Sequence, residues 1–264
     1  MVHQRGTAGT TAHNRVKLPQ FLRKKRCRRG GGVASRGQYS LRRKWRAVAD
    51  HATRRTVMVD TQVRPSDVTK FPIIDAMLTV PRERFVPAAL REAAYVGENL
   101  PLAPGRIMLE PRSFAKMLDL LDPRPTESVL HIGAGQGYGA AVLARLAEFV
   151  VALEEDADLA AAAEAALQAA GADNVAVLTG ALAQGAPKAG PFDAILIEGG
   201  IETLPESISA QLKDGGRIVA LFQNGPLGEV RIGLKSQDRI SWRAAFNATA
   251  PVLRGFALAP AFTL

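Results

Sequence analysis

One stretch limits the fold more than any other: residues 129–138, which read Val-Leu-His-Ile-Gly-Ala-Gly-Gln-Gly-Tyr. An apolar run leads into three glycines at alternate positions, and an Ala- and Leu-rich helical pattern follows. Glycine permits a tight turn and lets a ligand approach the backbone. A strand, a glycine turn and a helix N-terminus together are typical of a nucleotide-binding site. The spacing G-x-G-x-G lacks the last glycine of the dinucleotide fingerprint, so an ordinary α/β glycine turn stays an alternative.

A second strand pattern, residues 149–153, ends in the acidic run Glu154, Glu155 and Asp156. It places a carboxylate about twenty residues after the glycines, where Rossmann-like sites bind ribose hydroxyls. We predict this role for Glu154, with Glu155 as the alternative if the strand register differs by one. The same run also suits the cap of the next helix, and it holds enough acids for both roles.

Strand and helix patterns alternate after the glycine turn. The strand patterns cover residues 175–179, 194–197 and 217–222, and the helical patterns cover residues 140–146, 159–170 and 205–212. This alternation predicts an α/β, Rossmann-like fold with a mostly parallel, doubly wound sheet that binds its ligands at the C-terminal ends of the strands. The last strand patterns lack intervening helices and predict an antiparallel C-terminal edge: 230–234, 240–246 and 255–262.

The positive charge of the chain belongs to one end. The formal net charge is +9, but residues 1–57 alone carry 16 Lys and Arg residues against one acid, which leaves the rest net acidic. A folded nucleic-acid-binding domain is expected to carry basic residues itself, so binding of nucleic acid is left only to this segment. Its composition predicts a disordered extension. Three interpretations of this segment stay open: a basic arm that binds a partner, an organelle transit peptide, or a non-functional extension that precedes a translation start near Met58. Because hydrophobic periodicity begins close to Met58, we favour the third.

Composition excludes several other classes of protein. No apolar run approaches the ~20 residues that span a bilayer. The single cysteine, Cys27, excludes an intramolecular disulfide and a thiol-based metal cluster, and the four histidines are scattered, so we expect no metal. Upstream of the glycine turn the pattern is helical, from Val63 to Leu90 with Ser66 as a possible cap, and again from Pro111 to Leu121.

Several motifs, in order, resemble those of the protein-L-isoaspartate O-methyltransferases, class I enzymes that use S-adenosylmethionine. Residues 80–87, VPRERFVP, resemble the family's VPRE-x-FVP element, and the segment from Pro111 resembles its P-x-x-x-A-x-M-L helix. Residues 133–138 are similar to its cofactor loop, and residues 191–193 and 212–217 to the elements that flank its fourth and fifth strands. The cofactor loop is shared by many methyltransferases, whereas the ordered set is specific to this family.

The chain also departs from the family pattern at polar positions. Arg106-Ile107-Met108-Leu109 replaces Gln-Thr-Ile-Ser, whose Ser lies at the isoaspartyl site. His131 replaces the Asp or Glu near the end of the first strand. Gly180-Ala181-Leu182 replaces Gly-Asp-Gly, whose Asp holds the adenine amine, and Glu198-Gly199-Gly200 replaces a run of small residues.

The resemblance implies a cytoplasmic, S-adenosylmethionine-dependent O-methyltransferase that acts on the carboxylate of L-isoaspartyl residues in damaged proteins or peptides. It divides residues 58–264 into a substrate-side helical segment (58–125), a cofactor-binding core (126–222) and C-terminal strands (223–264). The acceptor-site candidates are Arg106, Leu109 and Glu198. The candidate cofactor contacts are His131, Gly133, Ala134, Gly135, Gln136, Gly137, Tyr138, Glu154, Glu155, Gly180, Ala181 and Leu182.

An alternative is a protein of the same fold whose isoaspartyl site has degraded, and which binds S-adenosylmethionine but methylates another acceptor or none. Individual residues also have plainer interpretations. Glu198 is more simply a solvated acid at a strand end, His131 a satisfied buried histidine and Tyr138 a packing residue. The guanidinium of Arg106 is itself suited to bind an acceptor carboxylate. If Leu109 weakens the acceptor site, Leu109→Ser is expected to raise methylation.

Overall fold

The structure, a computed structural model, describes residues 50–258. Its centre is a seven-stranded mixed sheet in the order β5-β4-β3-β6-β7-β8-β9, and a hairpin, β1–β2, forms a second sheet of two strands. The strands are β1 Leu100–Ala103, β2 Arg106–Met108, β3 Ser128–Ile132, β4 Phe149–Glu154, β5 Val175–Thr179, β6 Phe192–Ile201, β7 Leu212–Phe222, β8 Gly228–Ser236 and β9 Arg239–Ala248. The α-helices are α1 His51–Met58, α2 Phe71–Thr79, α3 Pro111–Leu121, α4 Tyr138–Leu143, α5 Ala157–Ala170 and α6 Glu206–Ala210.

The predicted mixture of parallel and antiparallel pairing is confirmed. Strands β3 to β7 pair in parallel, whereas β7–β8 and β8–β9 pair antiparallel. Because a strand's side chains alternate between the faces of a sheet, β3 contributes Val129 to one buried layer and Leu130 to the other. A sheet with apolar side chains on both faces needs cover on both, which the flanking helices and turns supply.

The sheet changes direction at β3. From this strand the chain moves outward through β4 to β5, and then returns to place β6 on the other side of β3. In parallel sheets such a reversal opens a crevice at the C-terminal ends of the two central strands, because the connections leave in opposite directions. The glycine turn follows β3 directly, so it lies at this crevice.

The start of the domain differs from the predicted one. The sequence predicts an extension through residue 57, but α1 begins at His51, with Asp50 as its N-cap accepting a 2.7 Å hydrogen bond from the Thr53 backbone N–H. Arg54 forms a 2.9 Å ion pair with Glu92. Met58 is the one fully buried residue of this helix, so no apolar stripe indicates the helix in the sequence. Residues 1–49 lie outside the described residues.

Two other predicted boundaries also differ. Ser66 does not cap a helix but ends a 3-10 turn, and α2 begins only at Phe71, with proline in its first turn. The strand predicted at residues 255–262 is absent from residues 255–258, and residues 259–264 lie outside the described part of the chain. Within residues 50–258, no helix is long and apolar enough to cross a membrane.

A partly buried arginine, Arg217, joins β7 to the segment before β3. The Arg217 guanidinium donates to the backbone carbonyls of Leu121 and Asp122 and forms 2.7 and 2.9 Å bonds to the Glu127 carboxylate. Burial acts to raise the pKa of Glu127, but hydrogen bonds from Arg217 and from the Arg124 backbone outweigh it and hold that pKa below its ordinary value of 4.5. The deprotonated carboxylate therefore stabilises the folded state.

We expect Glu127→Gln to lower the melting temperature at pH 7 by about 2–8 °C. The Glu127–Arg217 ion pair is partly buried, so we expect it to stabilise the fold by about 1–2 kcal/mol, more than an exposed pair and less than a fully buried one. A lowered folded pKa gives stability that is complete above the unfolded pKa and lost as pH falls through the folded one. The difference from the unmodified chain should thus shrink below pH 4.5. Calorimetric melts from pH 7 to pH 3 measure this difference in melting temperature, and Glu164→Gln, at an exposed position, is the control. A difference in melting temperature that stays constant with pH would contradict the prediction.

Candidate cofactor and acceptor site

The glycine turn after β3 has the backbone that the sequence predicted. Gly133, Gly135 and Gly137 have φ values of 81°, 55° and 92°, a region that side chains with a Cβ rarely adopt. The turn is tied to the neighbouring strand, because the N–H groups of Gly133 and Ala134 donate to the Leu153 carbonyl at 2.9 and 3.1 Å. Gly137 then stands at the N-terminus of α4. The turn and the end of β4 thus form one unit.

Glu154 ends β4 and is fully buried. Its Oε2 accepts hydrogen bonds from the Gly135 N–H at 2.7 Å and from Arg106 Nη2 at 2.6 Å. Its Oε1 accepts from the backbone N–H groups of Glu155 and Asp156 at 3.0 and 3.2 Å, and from Arg106 Nε at 3.3 Å. The carboxylate proposed for ribose therefore also fixes the glycine turn and the start of the next loop.

The other members of the acidic run have separate positions. Asp156 caps α5 through Oδ1, which accepts from the N–H groups of Asp158 and Leu159. Glu155 is half-buried, 3.8 Å from the exposed guanidinium of Arg254. The expectation that one acid serves the site while another caps the helix fits this division. Beyond β5, the Gly180 N–H bonds to the Glu154 carbonyl at 3.0 Å, Ala181 is exposed, and Leu182 is buried in the core.

The β1–β2 hairpin lies on the glycine turn. A Cβ added to Gly135 would lie 2.6 Å from Leu102 Cδ1, and one added to Gly133 would lie 3.1 Å from Arg106 Nη2 and 2.8 Å from the Glu198 carbonyl oxygen. Gly133, Ala134 and Gly135 are consequently buried, whereas Gln136 is half-buried. The sequence indicated neither contact, because hairpin and turn are about thirty residues apart and no local pattern links them.

A buried pair lies beneath the same turn. His131 Nε2 is 3.0 Å from Glu198 Oε2; His131 is fully buried and Glu198 is 4% exposed. The interpretation of Glu198 as a solvated strand-end acid is therefore wrong. Its place on β6, the strand next to β3, directs it towards His131, and it also accepts a long 3.4 Å hydrogen bond from the Leu109 N–H. Gly139 makes room for the pair, since a Cβ there would lie 2.5 Å from Glu198 Oε2.

Arg82 is a residue of the site that the sequence did not single out. It is fully buried, donates from Nη2 to the Leu109 carbonyl at 2.6 Å and from Nε to the Ala94 carbonyl at 2.8 Å, and stacks 4.7 Å from the Tyr138 ring centre. Burial lowers the pKa of the guanidinium, against the effects of Tyr138 and Glu198. Its place in the VPRERFVP element, which resembles a motif of the family, was the available signal.

Tyr138 and Leu109 belong to the core. The Tyr138 ring packs against Phe85 and Phe114, as a packing interpretation predicts, and burial raises the pKa of its hydroxyl. Leu109 is fully buried, and both of its backbone polar groups are bonded, to Arg82 and to Glu198. Its side chain thus does not line an open acceptor pocket in this conformation.

An open cavity of about 330 Å³ lies beside Glu154. It is lined by Pro104, Gly105, Arg106, Glu154, Glu155, Asp156, Val252 and Arg254. A strand-end carboxylate, a glycine turn without side chains and an adjoining cavity fit the adenosine part of S-adenosylmethionine. Next to the glycines the space is taken by Leu102 and Arg106. Among residues 50–258, no group of three or more His, Cys, Asp or Glu side chains is placed to hold a metal ion.

The parallel sheet, the glycine turn at its switch point and the buried carboxylate at the end of the next strand together define a class I methyltransferase. The family model for protein-L-isoaspartate(D-aspartate) O-methyltransferase matches residues 54–241. A protein-L-isoaspartate O-methyltransferase of Methylorubrum extorquens is 42% identical over 212 residues, which cover 79% of this chain and 92% of that protein. One of Pelotomaculum thermopropionicum is 38% identical and covers 69% of this chain and 77% of that protein. The chain belongs to the protein-L-isoaspartate O-methyltransferase family.

Solved structures agree on the fold. A protein-L-isoaspartate O-methyltransferase superposes with a TM-score of 0.67 at 22% identity, covering 78% of this chain and 66% of that one. A Plasmodium falciparum protein of the same description, in complex with S-adenosyl-L-homocysteine, superposes with a TM-score of 0.64 at 18% identity, covering 77% and 98%. The predicted fold class and the predicted S-adenosylmethionine dependence are confirmed by the family match and by these relatives.

We expect Glu154→Gln to weaken binding of S-adenosylhomocysteine by about ten-fold or more, because hydrogen bonds to a charged group are worth about 1.5–3 kcal/mol. Isothermal titration calorimetry measures the change, and circular dichroism checks that the variant is folded. Glu155→Gln is the matched control and should change the affinity by less than about three-fold. A loss with Glu155→Gln and none with Glu154→Gln would assign the ribose to the neighbouring acid.

Proposed function

We infer that this protein methylates the side-chain carboxylate of L-isoaspartyl residues in proteins, using S-adenosylmethionine, and so initiates their repair. The observation that carries this inference is the family match across residues 54–241. The buried carboxylate of Glu154 and the glycine turn at the sheet's switch point, which suit a ligand with a ribose, support it. The relative from Methylorubrum extorquens, matched over 92% of its length, has this activity in its name.

The reaction needs positioning more than acid–base chemistry. S-adenosylmethionine supplies an electrophilic methyl group, and an acceptor carboxylate oxygen forms the new O–CH₃ bond as the methyl–sulfur bond breaks and the electron pair stays on sulfur. A carboxylate is already a nucleophile at neutral pH, so no residue of this chain has to remove a proton. The protein's task is to hold two ligands in line and to keep water away from them.

We assign these tasks to particular residues. Glu154 binds the ribose hydroxyls, and the glycine turn lets the cofactor approach the backbone. Arg106 binds the acceptor carboxylate through its planar guanidinium, in place of the Ser that resembling enzymes carry three positions later. Arg82 and Glu198 hold the backbone of Leu109 from its two sides, and thereby fix the end of the segment that carries Arg106. His131 supports Glu198.

Two observations favour the alternative of another acceptor, or none. No side-chain hydroxyl stands at position 109, and Ala181 is not able to hydrogen-bond the adenine amine. The partners we propose are isoaspartyl-containing proteins or peptides, in the cytoplasm. A nucleic-acid role is left only for the basic N-terminal residues, which lie outside the described part of the chain.

Methyl transfer to a single peptide pair tests the proposed function. We expect radiolabel from S-adenosylmethionine to enter a peptide with one isoaspartyl residue as a base-labile ester, and not to enter the same peptide with ordinary aspartate. We expect this difference because the free carboxylate of an isoaspartyl residue lies at a different place on the peptide from that of aspartate, and the site selects its acceptor by position. Equal labelling of the two peptides, or no labelling by a protein that binds S-adenosylhomocysteine, would favour the alternative acceptor.

The position of Leu109 reverses the expected effect of Leu109→Ser. Because the side chain is fully buried, the substitution removes apolar contacts and buries a hydroxyl. We expect a loss of about 2–4 kcal/mol, a drop of about 4–16 °C in melting temperature, and no gain in methyl transfer. Thermal melts and the same peptide assay check this, with Leu109→Met as the size-matched apolar control. A faster rate with unchanged stability would return residue 109 to the acceptor pocket.

A further inference from the structure

Arg106 lies between two parts of the site. Its guanidinium contacts Glu154 at 2.6 and 3.3 Å, and it is within reach of Gly133, where an added Cβ would lie 3.1 Å from Nη2. The side chain is 11% exposed and its partner is not exposed at all. The ion pair is thus shielded from solvent and lies on the glycine turn, where the cofactor is expected.

The Glu154 carboxylate has no free capacity while Arg106 is bound. A carboxylate offers about four lone-pair sites, and here three backbone N–H groups and two guanidinium N–H groups already donate to it. The backbone donors are fixed by the turn and by the start of α5, whereas Arg106 is a flexible side chain on the separate β1–β2 hairpin. Arg106 is therefore the donor that has to leave before ribose hydroxyls are bound.

We propose that Arg106 couples acceptor binding to cofactor binding. Without cofactor, the guanidinium is paired with Glu154 and is unavailable to an acceptor. With cofactor bound, Glu154 is occupied by ribose hydroxyls and Arg106 is released, still on the hairpin beside the glycine turn, with its charge uncompensated. An acceptor carboxylate then supplies the missing negative charge. This inference rests on the proposed function, and it gives the site an order: cofactor first, acceptor second.

The sign of the coupling follows from linkage. If the cofactor frees the acceptor's anchor, the acceptor must strengthen cofactor binding by the same factor, because coupling free energies are reciprocal. The closed pair also weakens the apparent cofactor affinity, because only open molecules bind and the dissociation constant is divided by the open fraction. If about nine molecules in ten are closed, the open fraction is about one tenth and the affinity is about ten-fold weaker. A purely structural arginine predicts the opposite, since its removal would leave a buried carboxylate with fewer partners.

The test uses the full chain and measures binding, not turnover. Calorimetry gives the dissociation constant of S-adenosylhomocysteine, and fluorescence anisotropy gives that of a labelled isoaspartyl peptide with and without saturating S-adenosylhomocysteine. For the unmodified chain we expect the peptide to bind about ten-fold tighter in the presence of S-adenosylhomocysteine. In Arg106→Gln this enhancement should disappear, while S-adenosylhomocysteine alone should bind about ten-fold tighter. Circular dichroism confirms that the variant is folded.

Arg145→Gln is the matched control, because Arg145 is a half-exposed arginine paired with Asp75 on α2. It should leave both constants unchanged. Weaker binding of S-adenosylhomocysteine by Arg106→Gln, or an enhancement that persists in it, overturns the proposal and leaves the proposed function intact. If the peptide does not bind at all, the isoaspartyl acceptor is refuted, and with it the coupling to acceptor binding. The dissociation constant of S-adenosylhomocysteine in Arg106→Gln then still tests whether Arg106 must leave Glu154 before the cofactor binds. An unmodified chain that does not bind S-adenosylhomocysteine refutes both.

Discussion

The buried carboxylate of Glu154 is the interaction on which the site depends. A charge removed from water needs several hydrogen bonds in return, and this one receives them from three different segments. The Gly135 N–H donates from the glycine turn, and the N–H groups of Glu155 and Asp156 donate from the segment that leads into α5. The Arg106 guanidinium donates from the β1–β2 hairpin. A single side chain thereby holds together the turn, the strand end and the hairpin that carries Arg106, the proposed acceptor anchor. Its three backbone donors are fixed, so only the arginine is exchangeable for a ligand.

The polar groups beneath the glycine turn differ from those expected of the family. Where resembling enzymes end the first strand with an acid, this chain has His131, and a carboxylate reaches the same place from the neighbouring strand as Glu198, 3.0 Å away. Glu198 and Arg82 then hold the two backbone polar groups of Leu109. The position that usually contributes a serine hydroxyl is thus fixed through its backbone, and its side chain serves the core.

The sequence was sufficient for features that depend on local pattern. Glycine spacing and apolar runs located β3, β4, β5 and the turn, and the acidic run that begins at Glu154 was expected to supply both a strand-end carboxylate and a helix cap. Contacts between distant segments were not readable. Glu198 is an acceptor-site candidate in the sequence, with a solvated strand-end acid as its plainer interpretation, because nothing in its neighbourhood reveals His131, 67 positions away. Leu109 is a candidate because it takes the place of a serine in the family motif, and a motif does not show where a side chain points. Helix α1 has a single buried residue, Met58, so it has no apolar stripe to indicate it.

The roles proposed for Glu154 and Arg106 are tested most directly by a crystal structure of the full chain with S-adenosylhomocysteine bound. We expect the ribose hydroxyls to lie within hydrogen-bonding distance of Glu154, the Gly135 N–H to remain bonded to the same carboxylate, and the Arg106 guanidinium to have left it. A complex in which Arg106 still contacts Glu154 at its present distance, with the ligand bound elsewhere, would contradict the assignment of this carboxylate to the cofactor.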